Sequence, residues 1–269
     1  MVGLALVCVV RTAAWSEGSR FSYQEYDSVL KSFVYKDGMV DYRGLKSRPV
    51  ELETFVDSVG KLDAKDFAGW TDKEKIAFWI NAYNALTLKV ILDHYPIRPS
   101  LLGRIRFPSN SIRQISGVWD SIRFKVMGGE MTLDEIEHQR LRKDFNEPRV
   151  HMALVCASRG CPVLRDEPYS ADRLDAQLDH QATRFLKDPN KFRIDRRREV
   201  VQLSSIFQWF AKDFGKTYDT SDKFHGFSPV ERPVLNFVAG YLDRKDRQFL
   251  ETEGYSIEYL PYDWSLNER

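Results

Sequence analysis

The sequence predicts an α+β fold, in which a small antiparallel sheet is packed by several helices in a single domain. Three observations support this prediction. Apolar residues recur at helical spacing after helix-capping patterns, short apolar or alternating segments predict strands, and no linker or internal repeat divides the 269 residues. We therefore expect one domain over residues 15–269, preceded by a separate segment at residues 1–14.

The helices of the N-terminal half are predicted from their capping residues. Ser22 and Glu25 form a capping box, and the apolar residues after it predict a helix to about residue 34. A short helix is expected after residue 49. Thr71 and Glu74 form a second capping box. A long, well-buried helix should follow it and end before Pro96.

The remaining elements are predicted in chain order from periodicity and turn residues. Residues 96–120 are rich in Ser, Pro, Gly and Arg, so we expect a long surface loop that borders a cleft lined by Asn81, Asn84 and the Cys161 turn. Strands are expected at residues 122–127, 150–156, 192–195, 200–203 and 255–260. Helices are expected at residues 132–142, 171–186, 204–214 and 229–242.

The composition is that of an ordered globular protein without a charge bias. Hydrophobic residues make up 43% of the chain, and 40 basic residues balance 39 acidic ones to a net charge of +1. This balance argues against a protein that binds nucleic acid through electrostatic attraction. No segment is long and apolar enough to span a membrane.

The N-terminus resembles a secretory signal. An apolar run at residues 2–10 is followed by Arg11 and by the small residues 12–14, which could precede a cleavage site. A secreted or periplasmic location is therefore predicted, and the alternative is a buried N-terminal segment. Two cysteines, Cys156 and Cys161, would remain after cleavage, and nearby thiols tend to pair in an oxidising compartment.

Several motifs together resemble one known family. They are residues 78–86 (FWINAYNAL), 133–138 (LDEIEH), 151–162 (HMALVCASRGCP), 205–210 (SIFQWF) and 262–267 (YDWSLN). Over about residues 70–267 the chain resembles the family catalogued as domain of unknown function 547. The resemblance implies no settled biochemical activity, although bacterial members often look exported. One departure is Gly160, where the family more often has Ser before the second cysteine.

The two cysteines of the HMALVCASRGCP segment allow two interpretations. Gly160 could let the chain fold back and join Cys156 and Cys161 in a structural disulfide, worth about 2 kcal/mol for so short a loop. Alternatively, Cys161 is a nucleophile. Pro162 suits the first position of a helix, so Cys161 would be an N-cap residue whose thiolate is stabilised by free backbone N–H groups.

A nucleophilic cysteine needs a base, and two histidines are candidates. His151 and Cys156 are five residues apart on a predicted strand, so their side chains point to opposite faces and cannot pair directly. His151 could instead reach Cys161 beyond the turn. His138 could approach from its helix, where Asp134 lies one turn earlier and could orient the ring. The structural alternatives are a surface His138 near a helix C-terminus and a hydrogen-bonded His151 at a strand end.

The long central helix carries two amides on an otherwise apolar face. Asn81 and Asn84 could orient an imidazole or bind substrate, with Tyr83 and Trp79 nearby, or they could bind the backbone of a neighbouring loop. We expect Asn81 and Asn84 to converge with Cys161, His151 and His138 on one pocket. The reason is that buried polar groups must find partners.

The favoured function is that of an exported globular domain with a cysteine-dependent hydrolase or acyl-transferase site around Cys161 and His151. The alternative is a non-catalytic binding or interaction module with a structural Cys156–Cys161 disulfide. The partner would be a small molecule, a peptide or a protein, with no nucleic acid. No motif indicates a cofactor. Zinc binding by the cysteines with His138 and His151 lacks a second tight ligand pair, so no metal site is predicted.

Overall fold

The computed structural model describes residues 21–99, 101–219 and 222–269. The predicted signal at residues 1–14 lies outside this part of the chain. The helices are α1 Gln24–Phe33, α2 Tyr42–Ser47, α3 Val50–Lys61, α4 Ala64–Ala68, α5 Asp72–His94, α6 Leu101–Arg106, α7 Arg142–Asp144, α8 Leu174–Lys187, α9 Ser205–Trp209, α10 Gly215–Tyr218, α11 Glu231–Tyr241 and α12 Arg244–Leu250. The strands are β1 Phe124–Val126, β2 Gly129–Met131, β3 Phe192–Asp195, β4 Val200–Ser204 and β5 Ser256–Leu260. A π-helix at Glu135–Leu141 and 3-10 helices at Ile112–Gln114, Pro148–Met152 and Ala211–Phe214 complete the regular elements of the described residues.

Helix α5 is the central element, as predicted. Its capping box is present: the Thr71 amide donates to the Glu74 carboxylate over 2.7 Å, and the Glu74 amide donates to Thr71 Oγ1 over 3.3 Å. The helix is buried on nearly all sides from Ile76 onwards, because α2, α3 and the π-helix pack against it. A helix without a solvent-facing stripe is typical of a protein core.

Two small sheets confirm the α+β class. Strands β1 and β2 form an antiparallel hairpin, and the two turn residues, Met127 and Gly128, both have positive φ, as a type I′ turn requires. The second sheet has the order β3-β4-β5. Strands β3 and β4 are the predicted antiparallel hairpin, but β5 pairs parallel to β4, so this sheet is mixed. The parallel pairing is possible because helices α9 to α12 carry the chain back to the starting end of the sheet.

Residues 150–156 do not form the predicted strand. They lie in and after the 3-10 helix Pro148–Met152, and the chain then continues in irregular structure. The apolar run reflects burial in the core rather than in a sheet. The backbone of this segment bonds to the side chain of Asn84 instead of to a neighbouring strand. The Asn84 side chain donates to the Ala153 carbonyl over 3.0 Å and accepts from the Val155 amide over 2.8 Å.

The helix predicted after Thr132 is present but wider than an α-helix. Thr132 and Glu135 exchange capping hydrogen bonds of 3.1 and 2.8 Å. The chain then forms a π-helix, and the Arg142 amide donates to the Glu137 carbonyl, five residues earlier. Short π-helical segments are frequent at functional sites because they redirect side chains from the regular helical spacing.

Residues 96–120 are more regular than predicted. They include α6 and the 3-10 helix Ile112–Gln114. The Ser111 side chain caps the second of these by accepting from the Arg113 amide over 3.1 Å. Local capping by Ser111 therefore supports a short turn of helix without a long apolar periodicity.

The buried residues form two hydrophobic clusters. The first includes α1 to α5 and the segment that contains Cys161, and the second joins β3 and β4 with α8, α9 and α11. The C-terminal segment after β5 contacts both. Its Tyr262 packs against each cluster, and Asn267 accepts a 2.7 Å hydrogen bond from the Tyr42 hydroxyl in the first.

Candidate functional site

A cavity of about 190 Å³ opens between the two hydrophobic clusters. Its walls come from distant parts of the chain, and clefts between packed units are common ligand sites. The residues that line it are Tyr83, Arg113, Trp119, Asp134, Glu137, His138, His151, Leu154, Cys156, Cys161, Pro162, Ile206, Trp209, Phe210, Tyr262 and Trp264.

Three tryptophans form an aromatic wall of the cavity. Trp264 lies between Trp119 and Trp209, with a ring-centroid distance of 6.0 Å to each. The Arg113 guanidinium lies 5.1 Å from the centroid of Trp264 and 5.4 Å from that of Trp119. Arg113 and Trp119 belong to residues 96–120, so this segment borders the cavity that contains Cys161, as expected, but Asn81 and Asn84 do not line this cavity.

Cys156 and Cys161 lie side by side in the cavity wall. Their sulfur atoms lie at disulfide distance, and their Cα atoms are 6.2 Å apart, within the range that a disulfide requires. The Tyr262 hydroxyl oxygen lies 3.1 Å from Cys161 Sγ and 3.2 Å from Cys156 Sγ. Ser158 Oγ lies 3.3 Å from each sulfur and donates to the Tyr262 hydroxyl over 3.1 Å.

The C-terminal segment holds the loop that carries the cysteines. The amides of Arg159 and Gly160 donate to the carbonyls of Ser265 and Asp263 over 2.8 and 2.7 Å. A Cβ atom at Gly160 would lie 2.6 Å from the Tyr262 ring, so only glycine allows this close approach.

The prediction that Cys161 is a helix N-cap is wrong. No helix begins at Pro162, and the chain is irregular from there to residue 170. Proline fits the first turn of a helix, but it is equally compatible with extended structure, which the packing selects here. Cys161 Sγ instead accepts the Cys156 amide hydrogen over 2.9 Å.

His151 is held by a carboxylate from the second cluster. Its Nε2 lies 2.8 Å from Asp213 Oδ2, and its ring stacks on Phe210 with a centroid distance of 4.1 Å. Asp213 also accepts two hydrogen bonds from Arg142, of 2.6 and 3.1 Å. Burial alone would raise the pKa of Asp213, but the bonds from His151 and Arg142 outweigh it and hold that pKa well below its ordinary value.

The hydrogen bonds of His151 define its tautomer. Burial lowers the pKa of His151, although Asp213 opposes this effect, so the ring is neutral near pH 7. A neutral ring that donates from Nε2 to the Asp213 carboxylate carries its lone pair on Nδ1. His151 therefore keeps a basic nitrogen that Asp213 does not occupy.

His138 lines the same cavity with a different arrangement. Its Nδ1 lies 2.6 Å from Arg142 Nη1 and must accept, because a guanidinium can only donate. Its Nε2 lies 3.7 Å from Asp134 Oδ1, so Asp134 neighbours the ring without the hydrogen bond that the sequence suggested. Burial, followed by the Arg142 charge, lowers the pKa of His138. The lone pair of His138 Nδ1 therefore already accepts the hydrogen bond from Arg142.

Glu137, which is not among the residues expected from the sequence, is a buried carboxylic acid in the cavity wall. It is 9% exposed and adjoins Tyr83. Burial, partly opposed by Arg142, raises the pKa of Glu137 to about 7. A perturbed carboxyl in a cleft is typical of functional sites. One signal was present: Glu137 lies four residues after Leu133 and four before Leu141, within the apolar stripe.

The amides of α5 do not reach the cavity. Asn81 donates to the Tyr169 carbonyl over 2.8 Å and accepts from the Tyr169 amide over 2.9 Å, and Asn84 binds residues 153 and 155 in the same way. Their convergence with Cys161 is therefore a wrong prediction, and the loop-binding alternative is correct for both. Trp79 is a core residue, packed against Phe67 and Phe78, whereas Tyr83 does line the cavity.

The cavity brings together both cysteines and both histidines that the sequence singled out: Cys156, Cys161, His138 and His151. In the described part of the chain, no hydrogen bond joins a histidine to either sulfur.

Over residues 21–99, 101–219 and 222–269, no group of three or more His, Cys, Asp or Glu side chains could hold a metal ion. The same residues include no helix long and apolar enough to cross a membrane.

These features define an α+β domain with a cavity that combines paired cysteine sulfurs, imidazoles and carboxylates. Residues 67–186 match the model of the family described as "Protein of unknown function, DUF547", which confirms the resemblance over this part of the chain. The match contains Glu137, His138, His151 and both cysteines, whereas Asp213 and Tyr262 lie beyond it. Comparison with curated proteins and with solved structures finds no significant match.

Proposed function

We propose that the cavity is a cysteine-dependent acyl-transfer site, of the hydrolase or acyltransferase type, in which reduced Cys161 is the nucleophile and His151 is the base. One observation carries the proposal: Cys161 and a histidine paired with a carboxylate line the same cavity. A thiol, an imidazole and an orienting carboxylate are the groups that thiol catalysis requires.

The hydrogen bonds of the two histidines favour His151 as the base. His151 keeps the Nδ1 lone pair, while Asp213 holds the other nitrogen and stabilises the imidazolium that forms. His138 directs its acceptor nitrogen to Arg142 and is unsuited to take a proton in this arrangement. The direct thiol–imidazole hydrogen bond would form when the cysteines separate, since catalytic hydrogen bonds often tighten only with substrate bound.

The proposed reaction has two steps. The Cys161 thiol gives its proton to His151, and the thiolate attacks the substrate carbonyl carbon. The leaving group departs with the proton from the imidazolium, and a thioester to Cys161 remains. Water or an acceptor hydroxyl or amine then attacks the thioester, gives a proton to His151, and releases the acyl product. The proton returns to Cys161, so no oxidant or reductant is consumed in the cycle.

The nucleophile is available only when the Cys156–Cys161 pair is open. We also propose that the protein is exported, and sulfur atoms at disulfide distance support this, because disulfides persist mainly outside the cytoplasm. In such a compartment an external dithiol would be needed to open the pair.

An acylation assay tests the proposed function. The protein is reduced with dithiothreitol, freed of reductant and mixed with p-nitrophenyl acetate, an activated acyl ester. We expect release of p-nitrophenolate with an acetyl group on the Cys161 peptide in mass spectra. Cys161→Ala should abolish this acetylation, and His151→Gln should slow it by about 100-fold, as removal of a general base does.

Matched controls separate catalysis from nonspecific acylation. His94→Gln changes a histidine outside the cavity lining, and Cys156→Ala removes the second thiol, so both variants should still acetylate Cys161. Acetylation that is equal in His151→Gln and His94→Gln, or absent from Cys161 in the reduced protein, would contradict the enzyme.

A second candidate function is a non-catalytic binding or interaction module with a structural Cys156–Cys161 disulfide. The observation that favours it is that the sulfur atoms lie at disulfide distance while no histidine bonds to either. This module should show no reactive thiol at Cys156 or Cys161 in native protein titrated with a disulfide reagent, and no acyl transfer after reduction.

A further inference from the structure

Tyr262 occupies a position that the proposed mechanism does not yet use. Its hydroxyl touches both sulfur atoms, at 3.1 and 3.2 Å, although Tyr262 is 101 residues from Cys161 in the chain. The ring is fixed by the close approach of Gly160 and by packing on Trp209 and Trp264, with centroid distances of 4.9 and 4.5 Å. The phenol is therefore packed in place beside the two sulfur atoms.

The direction of the hydrogen bonds leaves the Tyr262 proton for a sulfur. Ser158 Oγ donates to the Tyr262 oxygen over 3.1 Å, so the phenolic hydrogen points elsewhere, and its neighbours there are the two sulfurs. Burial raises the pKa of Tyr262 well above its ordinary value, so the group stays protonated wherever a thiolate exists.

The two sulfurs are not equivalent. Tyr262 and Ser158 are within reach of both, but only Cys161 Sγ also accepts a backbone hydrogen bond, from the Cys156 amide over 2.9 Å. Hydrogen bonds to the charged form of a group lower its pKa. Once the pair is reduced, the negative charge should therefore settle on Cys161 rather than on Cys156.

We propose that Tyr262 is a catalytic residue of this site, whose phenol donates the hydrogen bond that stabilises the Cys161 thiolate and, with Ser158 behind it, makes Cys161 the nucleophile of the pair. The inference deepens the proposed function and rests on it. It assigns a role to the C-terminal YDWSLN motif, which supplies the thiolate donor to the segment that carries the cysteines.

The test measures the thiol pKa directly, without a substrate. The full chain carries Cys8→Ala, so that only one thiol remains after Cys156→Ala or Cys161→Ala, and thiolate absorbance is followed against pH. We expect a lower pKa for the Cys161 thiol than for the Cys156 thiol. Tyr262→Phe should raise the Cys161 pKa by about one unit, as expected for loss of one hydrogen bond to a charged group.

Two further variants complete the test. Tyr35→Phe removes a hydroxyl at an exposed site and should leave the pKa of Cys161 unchanged. Ser158→Ala should raise the pKa of Cys161 by less than Tyr262→Phe does. Circular dichroism shows whether Tyr262→Phe folds, and if it does not, the result for Ser158→Ala decides the test. Equal pKa values for the two thiols, or no rise in either variant, would overturn the proposal.

The outcome is separable from that of the acylation assay. A Cys161 pKa that depends on Tyr262, in a protein that is never acetylated, would support the hydrogen-bond assignment and reject the acyl-transfer function. Acetylation of Cys161 that is the same in Tyr262→Phe, with an unchanged thiol pKa, would reject only the role of Tyr262.

Discussion

Asp213 accepts a 2.8 Å hydrogen bond from His151 Nε2, although 62 residues separate them in the chain. Each residue lies in its own 3-10 helix, Pro148–Met152 and Ala211–Phe214. His151 lines the cavity, and Asp213 holds the His151 ring from outside the cavity lining. Arg142 completes the cluster from the end of the π-helix. Three elements that are local in sequence thus form one charged network between the two hydrophobic clusters.

We expect Asp213→Asn to lower the free energy of unfolding at pH 7 by about 2 kcal/mol, because it leaves the half-buried Arg142 without its anion. Urea denaturation measures this change. The pKa of Asp213 is lower in the folded state than in the unfolded state. Its contribution to the free energy of unfolding is therefore fully present above the unfolded pKa of about 3.9 and is lost progressively as the pH falls from there through the folded-state pKa. The control is Asp219→Asn, which breaks the more exposed pair with Arg232 and should cost less.

Glu137 should make stability depend on pH in the opposite sense. Its pKa is raised to about 7 in the folded state, so the folded protein holds an extra proton between the unfolded pKa of about 4.3 and pH 7. Stability should therefore fall as pH rises through this range. Glu137→Gln should be more stable than the wild type at pH 8, by on the order of 3 kcal/mol, and similar to it at pH 4.

The matched control for Glu137 is Glu135→Gln. The backbone hydrogen bond from Thr132 is the main reason that the pKa of Glu135 is lowered. Glutamine keeps the acceptor but loses the negative charge that this bond stabilises, so Glu135→Gln should destabilise the protein at pH 7. Thermal unfolding from pH 4 to pH 8 measures both variants. The burial of Glu137 as an acid is contradicted if its variant is destabilised at pH 8.

Gly160→Ala should disturb the cavity through Tyr262. The added methyl group would lie 2.6 Å from the ring, so either the loop or the ring must move, at a cost of about 1–3 kcal/mol. Urea denaturation and the near-ultraviolet circular dichroism of Tyr262 and its tryptophan neighbours report the two effects. Gly215→Ala, where no atom lies within 4 Å, should leave both readouts nearly unchanged.

Reduction of the protein should lower its stability by about 2 kcal/mol, the chain-entropy value for a loop as short as residues 156–161. The measurement is urea denaturation with and without a phosphine reductant. The Cys156→Ala, Cys161→Ala double variant should respond identically in the two conditions. A wild type that is equally insensitive would show that the pair is not closed in solution.

The elements predicted from the sequence are those whose signals are local. Thr71 and Glu74 begin α5 through contacts three residues apart, and the β3–β4 hairpin lies within 13 residues of chain. The failures have a common cause. Residues 150–156 have the apolar composition of a buried strand, but composition records burial and not the backbone partner, which here is a side chain of α5.

Taken by itself, the sequence determined the α+β class, the capping boxes that begin α5 and the π-helix, and the candidate set of two cysteines and two histidines. The capping box predicted at Ser22 and Glu25 is wrong, because α1 begins after Tyr23, whose side chain makes no capping hydrogen bond. Only the tertiary structure decided that Asn81 and Asn84 bind neighbouring backbone and that His138 Nδ1 accepts from Arg142 while His151 bonds to Asp213. It also decided that Glu137 and Tyr262 line the cavity. Capping and periodicity act within a few residues, whereas hydrogen-bond partners and pKa values depend on groups that can be far apart in the chain, as Tyr262 and Cys161 are at 101 residues.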